Sequence, residues 1–409
     1  MRFSELNKKI AITGMGSVSV FGKGIDVFSR NVEQGQGHFA LMAPAQGSNV
    51  RVRVSLADEQ EFSEGLDPNT SRYATKLSKM AALAGKEALD MSGMACHGLK
   101  DVGALVGTAL SGTVFRESVC SALSRPTGRV SPLKASRCVP NESVGTICLE
   151  LGLKGYNTIV SSFASSSVDA LFQASLAIVT GKARAMLVVG AEELSPFVIE
   201  SLWGMGLLEE IAVDGSGQSS SSNLPQKQGL CLGEGAAAVL LEDADSALNR
   251  GADILGFIEE ISIRSSSSSS IKRVRMMAET IMDCLDRVPV VDDVLLGYIS
   301  ANANGDRVMD GLERNALRRL LGQKSLPVTA LKRALGETFG AAGLFQLVSA
   351  LCGFKNRGAP LLEWPGQKVD AEAPPTVISE HRMKSAIINN FSPMGNYSSV
   401  LLTTKEVFV

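Results

Sequence analysis

Residues 155–193 read GYNTIVSSFASSSVDALFQASLAIVTGKARAMLVVGAEE, and the order of elements within them decides the fold. The stretch contains a run of small residues, Ala164 to Ser167. Val168 to Thr180 then places apolar residues at three- and four-residue spacing, the period of a helix with a buried face. Ala185 to Gly190 is a continuous apolar run, which reads as a strand buried on both sides.

The same grammar recurs outward from this stretch. Ile10 to Thr13, Val102 to Gly107, Ala236 to Leu241 and Val294 to Ser300 are short apolar strands that end in small residues. Arg72 to Met91 carries a helical period between them. Strands alternating with helices indicate an α/β protein with largely buried sheets. VGALVGTALSG in the first half pairs with VLLGYISANANG in the second, and IAITGMGSV with ILGFIEEISI. The pairing suggests duplication, with halves at 1–250 and 251–409. Two serine runs, Ser219 to Ser222 and Ser265 to Ser270, are expected as flexible surface loops.

Composition narrows the function classes. With 45% hydrophobic and 20% charged residues, the 409-residue chain has ample core-forming material. A net charge of −2 argues against a nucleic-acid-coating surface. Seven widely spaced cysteines form no C-x-x-C pair, so neither a metal nor a redox cofactor is expected. No run is long and apolar enough to span a bilayer, and the N-terminus lacks a signal-peptide pattern. A soluble cytoplasmic protein is the expectation.

Five blocks together resemble the β-ketoacyl-ACP synthase family. They are IAITGMGSVSVFG (10–22), the stretch 155–193, CLGEGAAAVLLED (231–243), VTALKRALGETFGAAG (328–343) and NNFSPMGNYSSVLL (389–402). The resemblance implies a thiolase fold, a five-layered α-β-α-β-α arrangement of two pseudo-repeated halves. It also implies dimerisation across the strand carrying Asn157, Ile159, Ser161 and Phe163.

Ketosynthase chemistry needs a cysteine thiolate at a helix N-terminus and two neutral histidines that donate to a developing oxyanion. The resemblance puts Ala164 at the nucleophile, Asn302 at the first histidine and Glu337 at the second. Alanine cannot form a thioester, and a carboxylate would repel an oxyanion. Lys332 alone survives from the usual set. The flexible glycine-rich gate becomes Ser392, Pro393, Met394 and Gly395, and proline limits backbone freedom there. The only histidines, His38, His97 and His381, lie away from these turns and read as surface or packing residues. A single Cys→Ala change could be an engineered trap, but four coordinated departures argue for a natural loss.

The pattern of losses resembles the chain-length factors of type II polyketide synthases. That implies a heterodimer with an active ketosynthase and work on chains borne by an acyl carrier protein, with no nucleic acid or membrane partner. Tunnel-lining side chains are then expected on the helix after Ser111-Gly112, at Thr113, Arg116 and Cys120, with Phe115 beside them. The alternative for this helix is packing of its own core through Phe115, Val119 and Leu123. Two further functions stay open: a loading decarboxylase or acyltransferase using Cys120 or a serine of 162–167, and a homodimeric acyl-chain-binding scaffold. The first of these lacks an evident base.

Overall fold

The computed structural model describes residues 8–408, apart from 36, 63, 127, 213–226, 267–268, 289, 292–293, 296, 322–325, 357, 361, 363–376 and 379–382. Ten strands carry the architecture. The first five are β1 (Ile10–Ser19), β2 (Val102–Gly107), β3 (Asn157–Val160), β4 (Ala185–Glu192) and β5 (Gly235–Asp243). The others are β6 (Gly256–Ser265), β7 (Tyr298–Ser300), β8 (Val328–Thr329), β9 (Ser385–Phe391) and β10 (Asn396–Thr403). The main helices are α1 (Lys76–Ser92), α2 (Thr113–Leu123), α3 (Glu142–Leu151), α4 (Ser166–Val179), α5 (Ser270–Leu285), α6 (Arg307–Leu321) and α7 (Ala342–Asn356).

The strands run β8-β7-β9-β10-β6-β1-β5-β4-β2-β3. From the central β1–β6 pair outward, each half repeats one order, 1-5-4-2-3 against 6-10-9-7-8. Directions repeat too: β2 is parallel to β3 and β4, as β7 is to β8 and β9. The remaining pairs are antiparallel. The stretches set against each other above, at β2 and β7 and at β1 and β6, occupy equivalent strands. Helix α1 covers one face of the first half, α5 one face of the second, and α4 and α7 lie between. These are the five layers of a thiolase-type α/β fold.

Continuous burial explains the strand sequences. All ten residues of β1 are buried. Its glycines permit contact with α1, because a Cβ on Gly14 would stand 1.9 Å from Ala88 O and one on Gly16 2.1 Å from Ala84 O. The same glycines had suggested a strand ending at Thr13, and instead the strand runs on to Ser19.

Four further expectations need correction. The helix expected from Arg72 to Met91 is two helices, because Ala74 is extended and the Thr75 side chain caps Lys76–Ser92 by accepting from Ser78 N. The strand expected from Val294 to Ser300 is split, since Val294–Leu295 pairs with Val290–Val291 and only Tyr298–Ser300 joins the sheet. The strand from Asn157 ends at Val160, and Phe163 belongs to a turn. Of the second serine run, Ser265 closes β6 and Ser269 stands at the N-cap of α5, so a serine-rich composition here serves a strand end and a helix start. Ser219 to Ser222 lie outside the described residues.

Candidate functional site

Helix α4 begins two residues after Ala164, which is buried in the turn Phe163–Ser165. Phe163 holds a positive φ of 58°, and Phe339, before α7 in the second half, holds 39°. Side chains rarely adopt this region, and strain of this kind clusters at functional sites. The two rings pack together at 5.2 Å between centroids. The sharp turn is retained where the thiol is absent.

The neighbouring serines bond mostly to the turn itself. Ser166 Oγ donates to Phe163 O (2.6 Å) and Ser165 Oγ to Ser162 O (3.2 Å). Ser162 Oγ donates to Asp169, whose pKa burial raises. Asp169 was not anticipated as a partner of these hydroxyls. A carboxylate alone is a poor base for serine, since no imidazole sits between them.

The retained lysine is buried and held by two acceptors. Lys332 Nζ donates to Asn302 Oδ1 at 2.8 Å and to Glu337 Oε2 at 2.9 Å. Asn304 Nδ2 also donates to Glu337 Oε2 (2.7 Å), and Phe339 N to Glu337 Oε1 (2.8 Å). Asn302 Oδ1 accepts from Phe391 N as well, at 3.1 Å. Two of the degenerate positions read from the sequence, 302 and 337, thus meet the retained Lys332 in one buried cluster. Its acceptors face a lysine, and among the described residues no imidazole joins the cluster to donate to an oxyanion.

Three buried acids support this cluster, and none was singled out from the sequence. Glu313 accepts from Asn302 N (3.1 Å), Ala303 N (3.2 Å) and Asn389 Nδ2 (2.9 Å). Asp310 accepts from Asn304 N and Gly305 N. Their three-residue spacing on a buried face of α6 was the available signal. Glu192, at the end of β4, accepts from Thr108 Oγ1, Ala109 N, Leu110 N and Gly340 N. It thereby ties the loop after β2 to the turn before α7.

Burial pushes Glu192 and Glu313 up to about 7 and Asp310 up to about 6, despite donors that favour the ionised forms. An acid whose folded pKa exceeds its unfolded value takes up a proton on folding, so stability falls as pH rises between the two. Denaturation midpoints are therefore expected to fall from pH 5 to pH 8. Glu192→Gln should be less stable throughout but flatter with pH, its loss over that span smaller by roughly 2–3 kcal/mol. An unchanged slope would contradict this assignment.

The other expected residues fall as follows. No residue of α2 is buried, and Leu123 is 60% exposed. The alternative of core packing through Phe115, Val119 and Leu123 is therefore overturned. Arg116 bonds to Ser111 O, Thr113 Oγ1 and Cys138 O, which fixes the start of the helix against the loop at 138. Arg137 lies 5.3 Å over the Phe115 ring, and Cys120 is exposed. Along β3, Tyr156 O accepts from Ala104 N and Val160 O from Thr108 N, so the backbone groups of Asn157, Ile159 and Ser161 face the open edge of the sheet. Phe163, expected on that edge, turns away to meet Phe339. His38 packs edge-on against Phe21, His97 ends a short 3-10 turn, and His381 lies outside the described residues. Among the described residues no cluster suits a metal ion, and no helix is long and apolar enough to cross a membrane.

The layered sheet and its paired elbows define a thiolase-type protein. Residues 7–247 match the beta-ketoacyl synthase N-terminal domain and residues 255–361 the C-terminal domain, so the chain belongs to the beta-ketoacyl synthase family. It is 26% identical over 417 residues to the chloroplastic 3-oxoacyl-acyl-carrier-protein synthase I of Arabidopsis thaliana, covering 98% of this chain and 87% of that one. Identity is 27% over 421 residues to the tetracenomycin polyketide synthase ketoacyl synthase alpha subunit of Streptomyces glaucescens, with 98% of each covered. The solved ishigamide ketosynthase/chain length factor superposes with a TM-score of 0.76 at 18% identity, over 97% of this chain and 99% of that one. The chain is thus a ketosynthase-family protein.

Proposed function

We infer that this chain is a non-condensing ketosynthase homologue, with halves at 1–250 and 251–409, that pairs with an active ketosynthase and limits the length of its product. The observation that carries this reading is the closed shell around Lys332. Condensation needs a thiolate and two oxyanion donors. Ala164 supplies a methyl group, Asn302 presents an oxygen already shared between Lys332 and Phe391 N, and Glu337 is an acceptor paired with the lysine.

The surface supports a partner. The open edge of β3 stands with Leu149, 86% exposed, and Tyr156, 54% exposed, on the flanking segments. An unpaired strand edge among exposed apolar side chains is a surface that obligate assemblies cover. Helix α2, without a buried residue, suits a wall completed by the second subunit. Thr113, Phe115 and Cys120 would line the tunnel there, with Arg116 clamping the helix start.

Between Thr113 and Cys138 lie Arg116, Arg125, Arg129, Lys134 and Arg137 against the single acid Glu117. None of the five cations joins an ion pair among the described residues. This stretch suits the approach of an acidic acyl carrier protein.

In the reconstituted pair, Thr113→Phe should shorten the product by one or more two-carbon units at little cost in rate, read by mass spectrometry. Unchanged product length across Thr113, Phe115 and Cys120 variants would overturn the tunnel assignment.

A further inference from the structure

The turn Ser392–Gly395 follows directly on the degenerate cluster, because Phe391 N just before it donates to Asn302 Oδ1. Its own bonds close it: Gly395 N to Ser392 O at 3.0 Å, Ser392 N to Asn396 O at 2.8 Å, and Met394 N to Ser392 Oγ at 3.2 Å. A second set arrives from the β6–α5 connection. Ser266 N donates to Gly395 O at 2.8 Å, and Ser265 Oγ to Asn396 Oδ1 at 3.1 Å. Arg273, on the first turns of α5, donates through Nη2 to Pro393 O (3.3 Å) and through Nε to Tyr397 Oη (2.7 Å). Tyr397 Oη passes the chain on to Ser266 O at 3.3 Å. Met309 Sδ lies 2.9 Å from the same guanidinium nitrogen.

Arg273 thereby joins α5, α6, β10 and the turn. It forms no ion pair among the described residues; its partners are a carbonyl, a phenol and the Met309 thioether. Proline at 393 removes backbone freedom at the point where the arginine holds it.

We propose that Arg273, with Tyr397 and Ser266, is a clasp that holds the 392–395 turn in one closed conformation beside the degenerate cluster, so that the turn does not open as a gate in this subunit. Arg273 and Tyr397 are positioning residues in this account. The inference rests on the non-condensing reading above.

The test is hydrogen exchange on the lone full-length chain, followed at the amides of Ser266, Met394 and Gly395. Arg273→Met and Tyr397→Phe are each expected to speed exchange there at least fivefold, with protection in β9 and β4 unchanged. If Arg273→Met loosens the whole second half, Tyr397→Phe decides, because it removes one hydroxyl and keeps the ring against Phe391. Unchanged exchange at the three amides in Tyr397→Phe would overturn the clasp. Malonyl-carrier turnover by the isolated wild type would overturn the functional reading and leave the exchange result standing.

Discussion

Glu337→Leu is expected to destabilise the chain by about 3–5 kcal/mol, one of the largest effects of any single substitution. The change strands Lys332, which is buried, with Asn302 Oδ1 as its one remaining hydrogen-bond partner among the described residues. It also removes the acceptor of Asn304 Nδ2 and of Phe339 N. An isolated buried charge costs far more than the pair it left, whereas replacing both partners with apolar groups is often close to neutral. The double variant Lys332→Met/Glu337→Leu should therefore recover most of the loss. Denaturant midpoints of the two variants and the wild type make the comparison. If Glu337→Leu alone costs less than about 1 kcal/mol, the ion pair does not close the site.

The second large effect concerns assembly. Asn157→Pro removes an N–H that faces the open edge of β3 and leaves the bonds to β2 intact. Combined with Leu149→Glu, which puts a charge on an exposed apolar position, it should weaken pairing with the ketosynthase at least 100-fold, equivalent to about 2.7 kcal/mol. Circular dichroism should report an unchanged fold, and native mass spectrometry a loss of the heterodimer. A complex that persists at the same concentration would show that β3 is not the pairing edge.

Much of the fold is legible in the sequence, and the reason is physical. Strands buried on both faces leave continuous apolar runs, as in β4 and β5, and close helix contact leaves glycines, as at Gly14 and Gly16. Local breaks were harder. The apolar period continues through Ala74 and hides the boundary that Thr75 makes by capping the next helix. Serine content at 265–270 suggested a free loop, but composition does not show that Ser269 faces a helix start or that Ser266 bonds to Gly395 O.

The site divides in the same way. Positions 164, 302, 332 and 337 were legible because they sit inside short motifs. Glu192 and Arg273 were not, because each acts on residues far away in sequence, Gly340 for the one and Tyr397 for the other. Nothing in a local pattern marks a side chain whose role is set by a distant strand.

The central claim, that this chain elongates nothing alone and serves an active ketosynthase, is tested most directly by one measurement. The chain is expressed with its cognate ketosynthase, and native mass and malonyl-carrier turnover are recorded for each subunit and for the pair. The account predicts a one-to-one complex in which only the pair elongates. A homodimer that turns over malonyl-carrier by itself would contradict it, and would direct attention to Ser162 and its Asp169 contact.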